Sequence, residues 1–354
     1  MGDKTMTPTE KLEEIRRMLE YKAQIDYAGF SKIILKNFIV PEVDYSAIDL
    51  TTEFLGKKLA APLVILGWTG GSEYIKQINE ILAKAAQETG IGFGCGSQYA
   101  AIVNPEMENT FSIIKDSAPS ALKIANMGAA HLLAQNYGAS ELNRCIDMID
   151  ADAIALYVNT LEEVLKPDGI KSYKGLLSKL KDLIPQVKKP IILKGYGNGA
   201  TRMDAISLHD NGIRYIDISG YAGPNEFLIE EYNLFKDFYD YSRNLARDFE
   251  NWGISTVNSI LNVTGFYENS EMKVIASGGI RTGINVAKCI CLGANVVGIA
   301  SPFLKTAEKD IKTGGEPKDS IKLIKTLIEE LKITLVLTGS AKISDLNVEK
   351  IEPF

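Results

Sequence analysis

Short apolar runs recur along the chain, and stretches whose apolar residues return every three or four positions lie between most of them. The short runs show no alternation of polar and apolar positions, which predicts strands buried on both faces. The longer stretches predict amphipathic helices; one of them, SEYIKQINEILAKAAQETG, ends in the glycine that commonly closes a helix. Eight strands are predicted, over residues 62–67, 91–96, 122–126, 153–159, 190–195, 215–220, 273–279 and 295–300.

Eight strands separated by helices predict an α/β fold, and we expect a TIM (β/α)8 barrel. Strand counting alone leaves a doubly wound open sheet as the alternative. Residues 1–60 precede the first barrel strand and contain a charged helix that is predicted over about 8–29. We therefore expect an N-terminal extension, 1–60, that packs on the barrel bottom or on another subunit, and a barrel domain over 61–354.

Composition and charge exclude several classes of function. The net charge of −6 and the isoelectric point near 5.3 argue against a nucleic acid or an anionic membrane as the main partner. No apolar run reaches ~18 residues and the N-terminus is too polar for a signal peptide, so we expect a cytoplasmic protein outside the membrane. The four cysteines lack CxxC spacing, which indicates neither a zinc site nor a disulfide framework.

The ends of the last two predicted strands are candidates for a phosphate site. They read ASGGIRTG, residues 276–283, and VVGIASPF, residues 296–303. Glycine pairs leave backbone amides open, and amides at the start of a helix bind anions without a basic side chain. In a TIM barrel the loops after strands seven and eight often bind phosphate. We therefore expect a phosphate group at these two loops and at the helix that starts at 283.

Lys194 ends an otherwise apolar predicted strand, PIILK. A lysine buried at a strand tip is costly unless it is paired, so this position indicates a functional group. The alternative is a lysine whose stem is buried and whose ammonium reaches the surface.

Five segments resemble the FMN-dependent type 2 isopentenyl diphosphate isomerases: residues 48–71, 94–101, 124–132, 276–304 and 335–346. Among them are GCGSQYAA, IANMGAAHL and LVLTGSAKISDL, and they follow one another in the order of the family. The resemblance implies a TIM barrel with FMN lying across its mouth. It also implies a homo-oligomer, a tetramer or larger.

The resemblance assigns residues to the cofactor by motif match. Some would contact the flavin ring, and Lys194 among them would stabilise the anionic reduced flavin. Others would surround the phosphate. The residues are Gly67, Trp68, Thr69, Ser97, Asn126 and Lys194 for the ring, Ser219 at a neighbouring strand tip, and Gly278, Gly279, Arg281, Ala300 and Ser301 for the phosphate.

The sequence departs from this family where a diphosphate would bind. Residues 10–22 hold EKLEEIRRMLEYK in place of the expected arginine, lysine and histidine. Tyr99 stands where the family has arginine, and Tyr157 where it has histidine. A diphosphate needs charge-assisted donors, whereas tyrosines suit a flatter, less charged substrate. We infer a rebuilt substrate pocket that includes Tyr99, Asn159, Tyr196 and Tyr221, although these tyrosines could instead pack as structural residues.

Two carboxylates follow the fourth predicted strand in YVNTLEE. Glu162 replaces the family's glutamine, and Glu163 matches its Mg²⁺ ligand, which implies Mg²⁺ as a second cofactor. A carboxylate in an apolar barrel mouth has a raised pKa and can act as an acid or base. We therefore name Lys194, Glu162 and Tyr157 as candidate catalytic residues. The alternative is that these glutamates begin a solvated helix.

The sequence therefore predicts an FMN-dependent oxidoreductase or isomerase that acts on a small organic substrate. Two alternatives remain open: an isopentenyl diphosphate isomerase that uses reduced FMN and Mg²⁺, and a flavin-binding accessory subunit. Residues 224–262 mix acidic and aromatic side chains, and they could form either a lid over the barrel mouth or a subunit contact.

Overall fold

The computed structural model describes residues 27–67, 71–166, 169–223, 248–265 and 271–352. Within these ranges eight parallel strands close into a barrel, in the order β10-β3-β4-β5-β6-β7-β8-β9. The barrel strands are β3 (Leu63–Ile65), β4 (Gly92–Gly94), β5 (Lys123–Gly128), β6 (Ala153–Tyr157), β7 (Ile191–Lys194), β8 (Tyr215–Asp217), β9 (Lys273–Ser277) and β10 (Val296–Ile299). The pairing of β10 with β3 closes the sheet, which confirms the TIM barrel and excludes the open sheet.

Helices follow the strands and cover the outside of the barrel. The described α-helices are α1 (Glu73–Thr89), α2 (Tyr99–Val103), α3 (Asn109–Ser117), α4 (Ala130–Ala134), α5 (Ala139–Ile149), α6 (Thr160–Leu165), α7 (Leu176–Leu183), α8 (Arg202–Asp210), α9 (Thr256–Thr264), α10 (Gly283–Cys291), α11 (Ser301–Lys312) and α12 (Lys318–Leu337). Helix α1 begins at the side chain of Ser72, which accepts the amide of Ile75, and ends at Gly90 in the left-handed conformation. No helix among the described residues is long and apolar enough to cross a membrane.

The strands are apolar on both faces because each face meets a different core. Inward side chains such as Val64, Ile124 and Ile192 pack together inside the barrel. Outward side chains such as Ile65 and Phe93 pack against the helices. This two-sided burial explains why the strands appear in the sequence as continuous apolar runs.

A short antiparallel hairpin, β1 (Thr52–Phe54) and β2 (Lys57–Leu59), closes the bottom of the barrel. Phe54 and Leu59 are buried and belong to the inner core. The ring of Phe54 meets the ring of Tyr215, the first residue of β8, edge-on at a centroid distance of 5.9 Å. The hairpin therefore seals the amino-terminal end of the strands and leaves the carboxyl-terminal end for function.

The predicted helix over 8–29 lies mostly outside the described residues. Its last three positions are not helical, because Tyr27 and Ala28 form a turn and Gly29, with φ +88°, precedes a short 3₁₀ turn at Phe30–Lys32. The extension then meets the C-terminal segment through isolated bridges from Leu35 and Asp49.

We expect Leu59→Ala to lower the free energy of unfolding by about 2–5 kcal/mol, because it opens a cavity at the sealed end of the barrel. Urea unfolding would measure the change. Val348→Ala is the control: Val348 is 65% exposed, and its loss should cost less than about 0.5 kcal/mol. Equal effects of the two changes would contradict the role given to the hairpin.

Candidate active site

A small cavity lies at the carboxyl-terminal end of the barrel strands. Its lining includes Gly67, Asn126 and Lys194, three of the residues predicted from the sequence. It also includes Cys95 and Asp217, which were not among the predicted site residues. Four of them lie at or just beyond the end of their strands and Asn126 lies in the second half of β5, so the barrel closure brings them together.

Two buried polar atoms at this end of the barrel have no hydrogen-bond partner within the described residues, Asn126 Oδ1 and Asp217 Oδ2, and the hydroxyl of Ser97 lies beside that of Tyr157. The amide nitrogen of Asn126 donates to the carbonyl of Cys95 at 3.1 Å, which fixes the side chain and leaves its oxygen free. Buried polar atoms are nearly always hydrogen-bonded, and two exceptions that line one cavity indicate groups that a ligand or water would satisfy.

Gln98 organises this polar group, and sequence reasoning did not assign it a role. It is fully buried; its side-chain oxygen accepts the amide of Asn126 at 3.0 Å, and its nitrogen donates to the carbonyl of Cys145 at 2.9 Å. Gln98 therefore ties the loop after β4, which carries Ser97, to the end of β5. The signal was present in the GCGSQYAA segment, but the contact to Cys145 depends on the fold.

Lys194 and Asp217 are Cα partners across β7 and β8. Among the described residues, no hydrogen bond or ion pair reaches the ammonium of Lys194. Asp217 accepts from the hydroxyl of Ser277 and from the amide of Ser219, at 3.2 Å, and both bonds go to Oδ1. Burial raises the pKa of the Asp217 carboxyl, and the charge of Lys194 opposes that rise.

Ser219 itself, predicted as a cofactor contact, has φ +38° and organises the neighbouring loop. Its hydroxyl accepts the amide of Gly197 at 2.9 Å, and its carbonyl accepts the amide of Gly199 at the same distance. The side chain therefore supports the loop after β7, next to Lys194.

The loop after β9 is built from glycines that allow close backbone approach. Gly278 has φ +106°, and a Cβ there would lie 2.1 Å from the carbonyl oxygen of Gly220. Gly279 has φ +68°, and its Cβ would meet that of Ala222 at 2.6 Å. Only glycine fits at these two positions.

Open amides follow β9 and β10 at the same end of the barrel. Within the described ranges, the amides of Gly279, Ile280 and Ser301 donate to no acceptor. Ser301 begins α11, directly after Ala300. The guanidinium of Arg281 donates to the carbonyl of Ile280 at 3.1 Å. These amides form the surface on which an anion can bind.

One part of the expected phosphate site is wrong. The helix that starts at 283 was expected to contribute its N-terminus, but the amide of Gly283 donates to the carboxylate of Glu330 at 2.5 Å. The side chain of Thr282 accepts the amide of Asn285 at 3.2 Å. The start of α10 is therefore already capped by an acidic side chain from α12 and would repel a phosphate.

Two pairs of rings, Tyr99 with His131 and Tyr157 with Tyr196, lie on either side of Gly128 and are here called the aromatic cluster. The rings of Tyr99 and His131 stack at 3.8 Å with an interplanar angle of 2°. Tyr157 lies 5.7 Å from Tyr196, and it is the Cα partner of Lys194. A Cβ on Gly128 would lie 3.0 Å from His131 and 3.1 Å from Tyr157, so this glycine lets both rings approach β5. His131 was not predicted as part of this group.

Tyr221 does not join the aromatic cluster. Its hydroxyl donates to the side chain of Asn251 at 2.8 Å, and its ring meets that of Tyr27 edge-on at 5.7 Å. A Cβ on Gly253 would lie 2.7 Å from the Cβ of Tyr221. Tyr221 is buried and packs between segments that precede and follow residues 224–247.

The carboxylate of Glu162 is held on both sides, by the amide of Asn159 and the ammonium of Lys166. Glu163 accepts the amide of Ile170 at 2.7 Å and so fastens the loop after α6. Both glutamates lie in the first turn of α6, as the alternative interpretation of the sequence predicted. Among the described residues no group of three His, Cys, Asp or Glu side chains could hold a metal ion.

Some predicted positions lie outside the described residues. These are Trp68, Thr69, the segment 10–22 and residues 224–247 of the predicted lid or subunit contact. The described remainder of that last segment includes α9, whose N-terminal residue Thr256 donates through its hydroxyl to the carbonyl of Gly278 at 2.8 Å.

The sequence profile of the FMN-dependent dehydrogenase family matches residues 168–353, just over half of the chain. The isopentenyl-diphosphate delta-isomerase of Ignicoccus hospitalis is 39% identical over 94% of this chain and 90% of its own length. The enzyme of the same name from Methanoregula boonei is 38% identical over 97% of this chain and 93% of its own length. The chain belongs to the FMN-dependent dehydrogenase family, and the isopentenyl-diphosphate delta-isomerases are its relatives. It is therefore an FMN-dependent enzyme, and the interpretation as an accessory subunit falls away.

Solved structures of the FMN-dependent family share the fold at low sequence identity. A flavocytochrome b2 variant with sulfite bound has a TM-score of 0.67 at 16% identity and covers 96% of this chain and 82% of its own. A mandelate oxidase variant with (S)-mandelic acid has a TM-score of 0.64 at 13% identity and covers 96% of this chain and 93% of its own. At this identity the likeness concerns the barrel alone.

We expect Gly67→Ala to destabilise the protein by about 3 kcal/mol or more, because overpacking at this site cannot be relieved by a side chain. Its Cβ would lie 2.0 Å from the carbonyl carbon of Cys95. Gly94→Ala is the matched control on the next strand, since its Cβ would meet nothing closer than 3.7 Å. Thermal unfolding of the two variants should separate them clearly, and similar melting temperatures would contradict the steric argument.

Tyr157→Phe should weaken the alkaline destabilisation of the protein. Burial raises the pKa of Tyr157 from 10.0 to about 12, so the folded state keeps its proton where the unfolded chain loses it. This stabilisation is complete below pH 10 and is lost as the pH rises toward 12. Urea midpoints measured between pH 8 and 11 should fall less in the variant than in the parent; identical curves would show that the hydroxyl is solvated.

Proposed function

We propose that the protein binds FMN at the carboxyl-terminal end of the barrel and uses it on a small organic substrate of low charge. One observation carries the proposal. Unpartnered polar atoms beside the cavity and open amides after β9 and β10 lie at the same end of one barrel. The first set suits the heteroatoms of a flavin ring, and the second suits its phosphate.

The described residues fit this cofactor. Gly67 lines the cavity just beyond β3, while Ser97, Asn126 and Lys194 offer hydrogen-bonding groups to the edge of a flavin ring. The proposed phosphate contacts are Gly278, Gly279, Arg281, Ala300 and Ser301, with Ser219 supporting the adjacent loop. We also assign Trp68 and Thr69 to the ring, on the resemblance alone. When bound, FMN can accept a hydride at N5 or, once reduced, exchange a proton there.

The aromatic cluster supports an uncharged or aromatic substrate. Tyr99 and Tyr196 offer ring faces, and the buried hydroxyl of Tyr157 remains protonated at neutral pH and can act as a donor. Asn159 is buried beside them and orients Glu162. The carboxylate of Glu162 already pairs with Lys166, and neutral tyrosine hydroxyls lack the positive charge that a polyanion needs from its partners, so the pocket disfavours a polyanion. We also propose that Tyr221, which lies apart from the aromatic cluster, supports the wall of the pocket.

Isopentenyl diphosphate isomerisation is the second candidate, and the 39% identity to the Ignicoccus hospitalis isomerase favours it. It would require Mg²⁺, for which the resemblance implies Glu163 as a ligand. Against it stand Tyr99 and Tyr157, which replace expected cationic or proton-bearing contacts, and the carboxylate of Glu162. A diphosphate would bring its negative charge next to the Glu162 carboxylate. It would also meet neutral tyrosine hydroxyls where charge-assisted donors are expected.

We also propose a cytoplasmic homo-oligomer, a tetramer or larger. Cys95, Cys145, Cys289 and Cys291 are all buried and unoxidised, which suits a reducing compartment. Exposed apolar side chains such as Ile39, 97% exposed, and Val40 are suited to a subunit contact.

The test compares this protein with the Ignicoccus hospitalis isomerase under identical conditions. Both would be reconstituted with FMN, reduced anaerobically and incubated with isopentenyl diphosphate and Mg²⁺. We expect both to bind FMN. We expect this protein to isomerise the diphosphate at least about 100-fold more slowly, because it lacks two or more of the donor contacts to the diphosphate. Comparable turnover would overturn the proposed substrate class, and absence of flavin binding would overturn the proposal as a whole.

The paired change Tyr157→His and Glu162→Gln provides the matched variant. It restores the expected proton-bearing residue and removes one negative charge from the pocket. We expect it to raise turnover of isopentenyl diphosphate while FMN affinity stays the same, because neither side chain is assigned to the cofactor. Unchanged turnover, with the variant folded and flavin-bound, would show that these two positions do not set the substrate class.

A further inference from the structure

Lys194 and Asp217 are the only side chains lining the cavity, in the described part of the chain, that can carry a full charge. They lie on neighbouring strands at paired Cα positions, and strands in a sheet are about 4.8 Å apart. Asp217 is only 1% exposed. The charge of Lys194 opposes the rise that burial causes in the pKa of Asp217, so the two groups interact across the cavity and are expected to stabilise each other.

The hydrogen bonds of Asp217 are one-sided. Ser277 and the amide of Ser219 both donate to Oδ1, and together they fix the plane of the carboxyl. Oδ2 is buried and receives no hydrogen bond. A carboxylate held by one oxygen, with the other directed to a cavity, is oriented toward a partner that is located there.

The candidates for that partner are few. The titratable groups around Lys194 are Asp217 on β8, the thiol of Cys95 after β4 and the hydroxyl of Tyr157 on β6. Burial raises the pKa of both Cys95 and Tyr157, so each is neutral at pH 7. Asp217 is the one group among them that can balance the ammonium.

We propose that Asp217 is the counter-ion of Lys194: its carboxylate balances the charge of the ammonium across the cavity and favours positions of the lysine side chain that face Oδ2. Asp217 is thus a positioning residue, which acts on the cofactor through Lys194. The charge pair is a property of the protein alone, whereas its effect on FMN rests on the proposed function.

The pair sets the charge beneath the proposed flavin edge. With both groups ionised the net charge is zero, and the longer side chain of Lys194 lets its ammonium extend further toward the proposed ring than the carboxylate of Asp217. Removing the carboxylate leaves an uncompensated positive charge, which favours the anionic reduced flavin and raises its midpoint potential. Removing the ammonium leaves an uncompensated negative charge, which disfavours the anionic reduced flavin and lowers its midpoint potential.

The first measurement needs no cofactor. Urea unfolding of the apoprotein is compared for Lys194→Met, Asp217→Asn and the double variant. Lys194→Met leaves a buried carboxylate without its counter-charge, and Asp217→Asn does the same to a half-buried ammonium, so each change should raise the unfolding equilibrium constant. The double variant has no unpaired charge, so its constant should be at least tenfold lower than the product of the two single effects. Additive effects would overturn the pair.

If Asp217→Asn alone does not fold, the double variant still decides the matter. We expect Lys194→Met to rescue it, because the unpaired ammonium is then absent. Failure of the double variant to fold, next to a folded Lys194→Met, would show that Asp217 holds the barrel together through Ser277 and Ser219 and is not a counter-ion.

The second measurement is the midpoint potential of bound FMN. We expect Asp217→Asn to raise it by about 30 mV or more, which is a tenfold change for two electrons, and Lys194→Met to lower it. The matched control is Asp150→Asn, which removes the same charge from another buried lysine, Lys123, 3.6 Å away at the barrel bottom. Asparagine tolerates the φ of +53° at this position, so the control should fold and leave the potential unchanged.

The outcomes separate the two proposals. If Asp217→Asn and Asp150→Asn shifted the midpoint potential equally, the shift would come from the net charge of the protein. That result would overturn the role of Asp217. A coupled pair in the apoprotein, together with a Lys194→Met variant whose potential equals that of the parent, would keep the pair and contradict the place proposed for the flavin ring.

Discussion

Backbone-to-backbone contact at the carboxyl-terminal end of the barrel is the constraint on which the site depends. A side chain at Gly67 would collide with the backbone of Cys95, and one at Gly278 with the carbonyl of Gly220. These contacts bring the ends of neighbouring strands closer than ordinary residues allow. The polar atoms that follow each strand therefore converge on one small cavity, and amides of the last two loops remain open beside it.

The same barrel holds two lysines whose environments differ in a way that separates structure from function. Lys123, at the bottom, is fully buried, and its ammonium donates to the carbonyl of Ala118 at 2.9 Å with Asp150 nearby. Lys194, at the top, has no such bond within the described residues and shares its cavity with the free oxygen of Asp217. A satisfied buried lysine stabilises a fold, whereas one left open toward a cavity is available to a ligand.

The sequence predicted the eight strands because a parallel barrel buries both faces of every strand, so each appears as an apolar run. It also predicted Lys194 and Asn126, because strand ends mark the functional face of this fold. It could not predict Gln98 or His131, whose roles depend on contacts to Cys145 and Tyr99 that join separate elements. The capping of Gly283 by Glu330 was missed for the same reason, since 47 positions separate the two residues.

Tyr221 lies apart from the aromatic cluster, and this restricts the side from which a substrate can reach the cavity. Four tyrosines at strand ends looked equivalent in the sequence, yet only three of them gather on the side of β5, β6 and β7. A substrate that uses their ring faces would approach the cavity from that side, over Gly128, and would meet the hydroxyl of Tyr157 next to Lys194. The phenol of Tyr157 is the donor there that is not assigned to the cofactor, and a neutral donor matches a single polar group on an otherwise apolar molecule better than a polyanion.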